Sequence, residues 1–427
     1  MRSNRPATLP LSFTASQGLI MISRAFLKAG HTPTLLSAFL YFDLSFMVWV
    51  LLGPLGVAIA QDFGLSPAQK GFMVAVPVLA GALLRLAAGI MVDHIGPKAT
   101  GLIGQLIVMT GLAVAWIFGV NNYNQVLALG CVLGVAGASF AVALPLASRW
   151  YPPEYQGLAL GIAGAGNSGT ALAALFAPIL AQHFGWSNVI GLAVLPLAIA
   201  FVVFLVFAKD APNRPAAKTL TAYMSVLKVP DAWWLMSLYA VTFGGFVGLS
   251  SSLTIYFNAE YGLSAVTAGL FTAACVFAGS FARPVGGALA DRFGGVKTLS
   301  VVYVIAALAL ALASFHAASL IAALAVLMVA MVALGAGNGA VFQLAPQRFG
   351  KEIGVITGLV GMTGGIGGFY LASSLGWAKQ ATGSYQAGLL AFAALSLLAL
   401  AGLTGVKGRW RKTWSGLATP AAAPLRL

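Results

Sequence analysis

Charge is what this sequence has least of. Only 7% of its 427 residues are Asp, Glu, Lys or Arg, against 60% hydrophobic, whereas a soluble domain carries roughly 25% charged residues. A soluble globule is therefore excluded. Cysteine is nearly absent: Cys131 and Cys275 both fall inside apolar runs, so neither a disulfide framework nor a thiolate metal site is expected. The four histidines are scattered singly, which suits loop or packing positions rather than a metal cluster. No phosphate-binding loop, nucleophile constellation or metal-ligand cluster is visible, so the chain is not expected to be an enzyme, and no cofactor or metal is implied.

Acidic residues are scarcer than basic ones, nine against 23, for a net charge of +14. The Lys and Arg lie in short segments between apolar runs rather than along one soluble face, which makes them topology determinants and not a nucleic-acid surface. The first 30 residues are basic and weakly amphipathic, with no apolar core followed by a small-residue cleavage site, and read as a retained cytoplasmic arm.

What is present is a succession of apolar runs, each of about 20 residues and long enough to cross a hydrocarbon core of roughly 30 Å as a helix. They predict twelve spans, at 34–60, 71–93, 99–119, 125–148, 157–182, 187–208, 233–257, 267–291, 297–316, 319–346, 353–376 and 385–405. The expected class is an all-α membrane protein of two pseudo-symmetric six-helix bundles. A Pro- and Lys/Arg-rich stretch separates them. The implied organisation is an N-terminal arm over 1–33, a first bundle over 34–208, a linker over 209–232, a second bundle over 233–405 and a tail over 406–427. With both termini cytoplasmic, 19 of the 23 basic residues fall inside; only Lys70 and Lys379 fall outside, and Arg85 and Arg283 lie within helices. That bias favours this orientation in a bacterial inner membrane, with lipid as the surrounding solvent.

The two halves repeat each other. GALLRLAAGIMVDHIGPK matches GSFARPVGGALADRFGGVK, with Arg85/Arg283, Gly89/Gly287, Asp93/Asp291 and Gly96/Gly294 all 198 residues apart. GIAGAGNSGTALAAL from Gly161 matches GLVGMTGGIGGFYLA from Gly358 at an offset of 197. Parallel six-helix repeats are the arrangement of major facilitator transporters.

Asp93 and Asp291, the latter followed by Arg292, end helices in G-x-x-x-D-[R/H]-x-G segments. There a carboxylate can pair with a nearby cation, as a conformational latch or as a simple helix-end charge. Arg85 and Arg283 lie eight residues from their expected helix ends, about 12 Å deep at 1.5 Å per residue. A guanidinium at that depth costs at least about 2.5–3.5 kcal/mol, so each is expected to face a polar cavity. Two buried ion pairs would need two carboxylates, but only Asp43 lies inside a span away from its ends. An unneutralised fork of N–H groups suits a small planar oxyanion. Asn167 adds an amide, either for that anion or for an interhelical hydrogen bond. Gly164, Gly166, Gly169, Gly361, Gly364 and Gly365 serve close helix packing, or bring bare backbone to a substrate. Phe46, Phe140, Tyr239 and Phe243 are placed either to wall a pore or to pack in the bilayer. Tyr239 and Phe243 share a helical face.

Together these segments resemble the nitrate/nitrite porter (NarK-type) family of the major facilitator superfamily, over nearly all twelve helices. The glycine-rich segments are similar to its paired signature motifs, GALLRLAAG and GSFARPVGG to its arginine segments, and GAGNGAVFQLAP from Gly335 to its tenth helix. The resemblance implies nitrate or nitrite clamped by Arg85 and Arg283, with Asn167, Phe140, Tyr239, Phe243 and Phe46 in the site, and alternating access by rocking of the halves. It also implies an exchanger pathway without a titratable acid, from which Asp43 departs. FDLSFMVW is similar to the variant associated with proton-coupled uptake, so proton symport is the expectation, with exchange and a plain ion pair at Asp43 left open. An organophosphate/phosphate exchanger is the competing carrier, and it lacks the glycine signatures. A receptor on a transporter fold is the competitor of another class. A monomer is expected, since rocking needs no partner.

Overall fold

In the computed structural model, which describes residues 24–212, 220–315, 319–349 and 352–414, every regular element is helical. The N-terminal arm up to residue 23, residues 213–219 of the linker and the tail from 415 lie outside the described residues.

Four of the helices begin where a side chain accepts one of the first N–H groups. The Ser66 hydroxyl accepts from the Gln69 N–H at 3.3 Å while the Gln69 side chain accepts from the Ser66 N–H at 2.9 Å, a reciprocal cap, and Pro67 supplies a first residue that needs no donor. Asn122 and Ser264 cap two further helices by accepting the Gln125 and Thr267 N–H groups on their side chains. The helices end on glycines whose positive φ other residues resist, among them Gly64, Gly262 and Gly383. Gly96 and Gly294, related by the sequence repeat, join consecutive helices with φ of 90° and 98°.

Eleven helices are long and apolar enough to cross a membrane. They are α2 (Pro67–Ile95), α3 (Pro97–Phe118), α4 (Tyr123–Ser148), α5 (Leu158–Phe184), α6 (Trp186–Phe207), α7 (Pro230–Tyr261), α8 (Ala265–Phe293), α9 (Gly295–Ser314), α10 (Leu320–Phe349), α11 (Ile353–Thr382) and α12 (Gln386–Trp414). Before them comes α1, over 32–63, in two pieces, Thr32–Trp49 and Gly56–Phe63. Pro54 lacks the N–H that would continue the first piece, and Asp43 dilutes its apolar run. With α1 the expected twelve spans are present, six to each bundle. The first bundle is interrupted repeatedly: α1 at 50–55, α4 between Gly137 and Phe140, α5 by a 3₁₀ turn over Ala165–Ser168, and α6 at Ala193. In the second bundle α7 to α12 are each a single uninterrupted helix.

Both bundles are tied down at the end that carries the linker. His31 caps α1 by accepting the Thr34 N–H on Nδ1 at 3.2 Å. Partial burial, then the Lys209 ammonium, holds its pKa below the usual value, which keeps that nitrogen free to accept. In the second bundle Asp231 gathers four donors: Arg348 Nε at 2.8 Å, Arg409 Nη2 at 2.6 Å, and the indoles of Trp410 and Trp414 at 2.8 and 3.1 Å. The two indoles stack at 4.5 Å. This network explains why α12 runs to Trp414, well beyond the apolar stretch that ends near 405. At the opposite, far end the bundles meet closely. A Cβ on Gly71 would lie 2.8 Å from the Ala372 carbonyl oxygen and from Gly376, and the Ala68 N–H donates to Gln380 across the seam.

Replacing Asp231 by Ala leaves two cations and two indoles without their acceptor, and the loss of one partner from a buried pair costs about 3–5 kcal/mol. Asp231→Ala is expected to lower the thermal midpoint in detergent clearly. Arg409→Ala, whose side chain is 48% exposed, is expected to lower it much less. Equal midpoints for the two variants would contradict this account.

Candidate functional site

Arg85 on α2 is fully buried. Its Nε donates to the Gly137 carbonyl at 3.2 Å, where α4 is broken, and its Nη1 donates to the Gly361 carbonyl on α11. One acceptor thus belongs to each bundle. Nη2 has no partner. Four rings surround the guanidinium, with centroids at 5.9 Å for Phe46, 5.3 Å for Trp49, 5.1 Å for Phe140 and 5.0 Å for Phe243. Ring faces attract a cation without neutralising it.

Arg283 on α8 approaches the same cage from the other bundle. Its Cζ is 5.8 Å from the Phe140 centroid and 5.7 Å from that of Phe342, and its Nη1 is buried without a partner. Phe140 is therefore shared, and the two guanidiniums are no farther apart than their two distances to it laid end to end. Among the described residues no carboxylate lies within 4.0 Å of either. Tyr239 stacks on Phe243 at 5.1 Å and meets Phe342 edge-on at 5.1 Å.

The glycines divide by what they face. A Cβ at Gly361 would lie 3.3 Å from Phe140 and 3.6 Å from Arg85 Cδ, one at Gly364 would lie 2.7 Å from Tyr239 and 2.9 Å from Phe243, and one at Gly164 would lie 3.8 Å from Arg283. Gly365 is pressed against Ala82 of the opposite bundle, while Gly166 and Gly169 are pressed against Phe42 and the Asp43 backbone. The first group borders the cage; the second packs helices.

Asn167 is buried in the 3₁₀ turn with its Oδ1 unpaired. Beside it, the Ser168 hydroxyl donates to Asp43 Oδ1 at 2.7 Å. Asp43 makes no ion pair among the described residues. Asp93 pairs with Arg149 at 3.3 Å, at the linker end. Asp291 and Arg292 also lie at that end, Arg292 stacked 5.1 Å over Phe293; neither approaches the cage.

Two side chains and two backbone carbonyls went unnoticed in the sequence. Trp49 and Phe342 belong to the cage, and the carbonyls of Gly137 and Gly361 hold Arg85. Phe342 had a signal: Pro145 and Pro346 recur 201 residues apart, which places Phe342 beside the counterpart of Phe140. Backbone carbonyls carry no signal in residue identity.

Two six-helix bundles enclosing a cationic, aromatic centre, with no counter-charge among the described residues, are the arrangement of a membrane transporter. Residues 35–372 match the family described as Major Facilitator Superfamily. The chain is 35% identical over 360 residues to the probable nitrate/nitrite transporter NarK2 of Mycobacterium tuberculosis, covering 83% of this chain and 91% of that one. It is 33% identical over 352 residues to the nitrite extrusion protein of Bacillus subtilis, covering 82% and 88%. Among solved structures, a bacterial homolog of the human lysosomal transporter Spinster, inward-facing and occupied, superposes with a TM-score of 0.69 at 18% identity, over 91% of this chain and 98% of that one; this is a likeness of fold. The chain belongs to the major facilitator superfamily and, within it, to the nitrate/nitrite porter family.

Overpacking a filled interior costs roughly 1–3 kcal/mol. Gly364→Ala, which crowds two rings, is expected to lower the thermal midpoint in detergent. Gly354→Ala lies on the same helix with nothing within 4 Å of the new methyl, and is expected to leave the midpoint unchanged or to raise it slightly, for a gain in stability of up to about 1 kcal/mol. A neutral Gly364→Ala would show that the rings yield freely.

Proposed function

We propose that this protein is a secondary active transporter that moves nitrate, and with it nitrite, across the inner membrane by alternating access. One observation carries the reading: two guanidiniums from opposite bundles converge on a single aromatic ring with N–H groups unspent and no carboxylate in reach. A flat monovalent oxyanion fits between ring faces and accepts from both forks at once. A phosphate ester would call for further cations, and the cage is aromatic instead. The names of the relatives support the same substrate class.

The anion would draw Arg85 of the first bundle and Arg283 of the second together, with Asn167, Phe46, Phe140, Tyr239 and Phe243 shaping its pocket. The seam is packed at the far end, whereas methyls on Gly161 and Gly354 toward the linker end would meet nothing within 4 Å. With both termini cytoplasmic, as the basic residues favour, this is a state open to the cytoplasm. Asp93 with Arg149 in the first bundle, and Asp291 and Arg292 at the matching place in the second, would latch the linker ends.

Asp43 carries the question of coupling. It is buried, holds Ser168 and sits next to Asn167, so that gain or loss of its proton would rearrange the glycine-rich turn beside the site. That is the basis for nitrate/proton symport. The second reading, nitrate/nitrite exchange, rests on the same hydrogen bond taken as permanent, with Asp43 fixing α1 to α5 throughout the cycle.

Arg85→Lys and Arg283→Lys keep charge and lose the fork. Each is expected to slow nitrate uptake into proteoliposomes about tenfold or more, since a hydrogen bond to a charged group is worth about 1.5–3 kcal/mol. Wild-type uptake in either variant would sink the clamp. In the same liposomes, uptake driven by an inward proton gradient and lost in Asp43→Asn is the expected result for symport. Uptake that requires internal nitrite and ignores Asp43→Asn would establish exchange, and no nitrate movement under any gradient would exclude the substrate.

A further inference from the structure

Away from the central cage, α8, α9 and α10 leave a groove of about 880 Å³ on the outside of the second bundle. Its walls are apolar side chains such as Leu289, Val301, Met328 and Val329; Lys297 and Thr298 are its polar lining residues. Val285, Val301 and Val329 are about half exposed, so the groove opens sideways to the bilayer. From Lys297 at the linker end to Ile305 it runs along α9 for about 12 Å at 1.5 Å per residue. It therefore lies along the direction of the lipid tails.

Charge marks one end. Lys297 stands exposed on the first turn of α9 and makes no hydrogen bond or ion pair among the described residues. Its counterpart in the first bundle, Lys98, is spent: its Nζ donates to the Leu205 carbonyl at 2.7 Å and its N–H to Asp210 at 3.0 Å. Arg292 stacks over Phe293, another wall of the groove, at 5.1 Å. Even with Asp291 beside them, Arg292 and Lys297 leave this corner with an excess of one positive charge. The second bundle thus keeps free the lysine that the first bundle satisfies internally, and keeps it at the mouth of a tail-shaped apolar slot.

We propose that this groove is a lipid site holding one acyl chain of an anionic phospholipid, with the headgroup phosphate on Lys297. Its inner end reaches Ala282, the residue preceding Arg283. The bound chain therefore backs the stretch of α8 that carries the second guanidinium. A phosphate near the interface attracts a basic side chain by about 1 kcal/mol, and hydrocarbon fills the slot at no cost in unsatisfied polar groups. The site does not depend on which anion the centre carries.

The test is photolabelling in phosphatidylcholine proteoliposomes, with a trace of phosphatidylglycerol bearing a diazirine near the end of one chain, and adducts mapped by peptide mass spectrometry. Adducts on 325–336 of α10 are expected, reduced roughly fivefold in Lys297→Ala and retained in Lys297→Arg. Ala333→Phe, which fills the slot and leaves the lysine, is expected to abolish them; Val329→Trp replaces it if that variant does not elute as a folded protein. Equal labelling by a phosphatidylcholine diazirine, or labelling indifferent to Lys297→Ala, would overturn the proposal. So would labelling spread over other helices, or a crosslink between two copies of the chain in place of lipid.

Discussion

Everything at the centre of this molecule follows from burying a guanidinium with no carboxylate in reach among the described residues. A charged side chain in the bilayer interior is costly, and Arg85 is fully buried there. The protein answers with two backbone carbonyls, one from α4 and one from α11, and with the faces of four rings. Each answer imposes a condition elsewhere. Both carbonyls belong to glycines, Gly137 and Gly361, where no side chain of the residue itself stands in the way of the guanidinium. Rings gather only where neighbouring positions are small, hence Gly364 against Tyr239 and Phe243.

The two halves solve this problem unequally although they descend from one plan. Arg85 spends two of its donors on the protein, while Arg283 lies between two rings and is only partly buried. Lys98 and Lys297 show the same divergence at the linker end, one bonded within its bundle and one free. Duplication provided a symmetric frame. The interiors of the two halves have since diverged.

Much of this was legible in the residues. Apolar runs marked most span ends to within about four residues, because hydrocarbon tolerates little else, though α11 and α12 run on to Thr382 and Trp414; the 198-residue repeat exposed the two halves. Arg85 and Arg283 stood out because an isolated cation in an apolar run is rare. The failures have an equally physical cause. Phe342 and Trp49 look like ordinary bilayer-facing aromatics until packing turns them inward. The length of α12 depends on Asp231, which is 179 residues from Trp410 in sequence. Ser168 as the partner of Asp43 required knowing that α1 and α5 touch.

The helix breaks have a mechanical meaning. In α1, α4, α5 and α6 the ladder of backbone hydrogen bonds is interrupted, and a helix bends most readily where that ladder is missing. In α7, α11 and α12 it runs through 29 to 32 residues with no internal proline, while α8 and α10 remain single helices in which Pro284 and Pro346 each remove one bond. The molecule is thus built as a compliant body set against a stiff one. By this geometry a load on the pair bends the first bundle before the second.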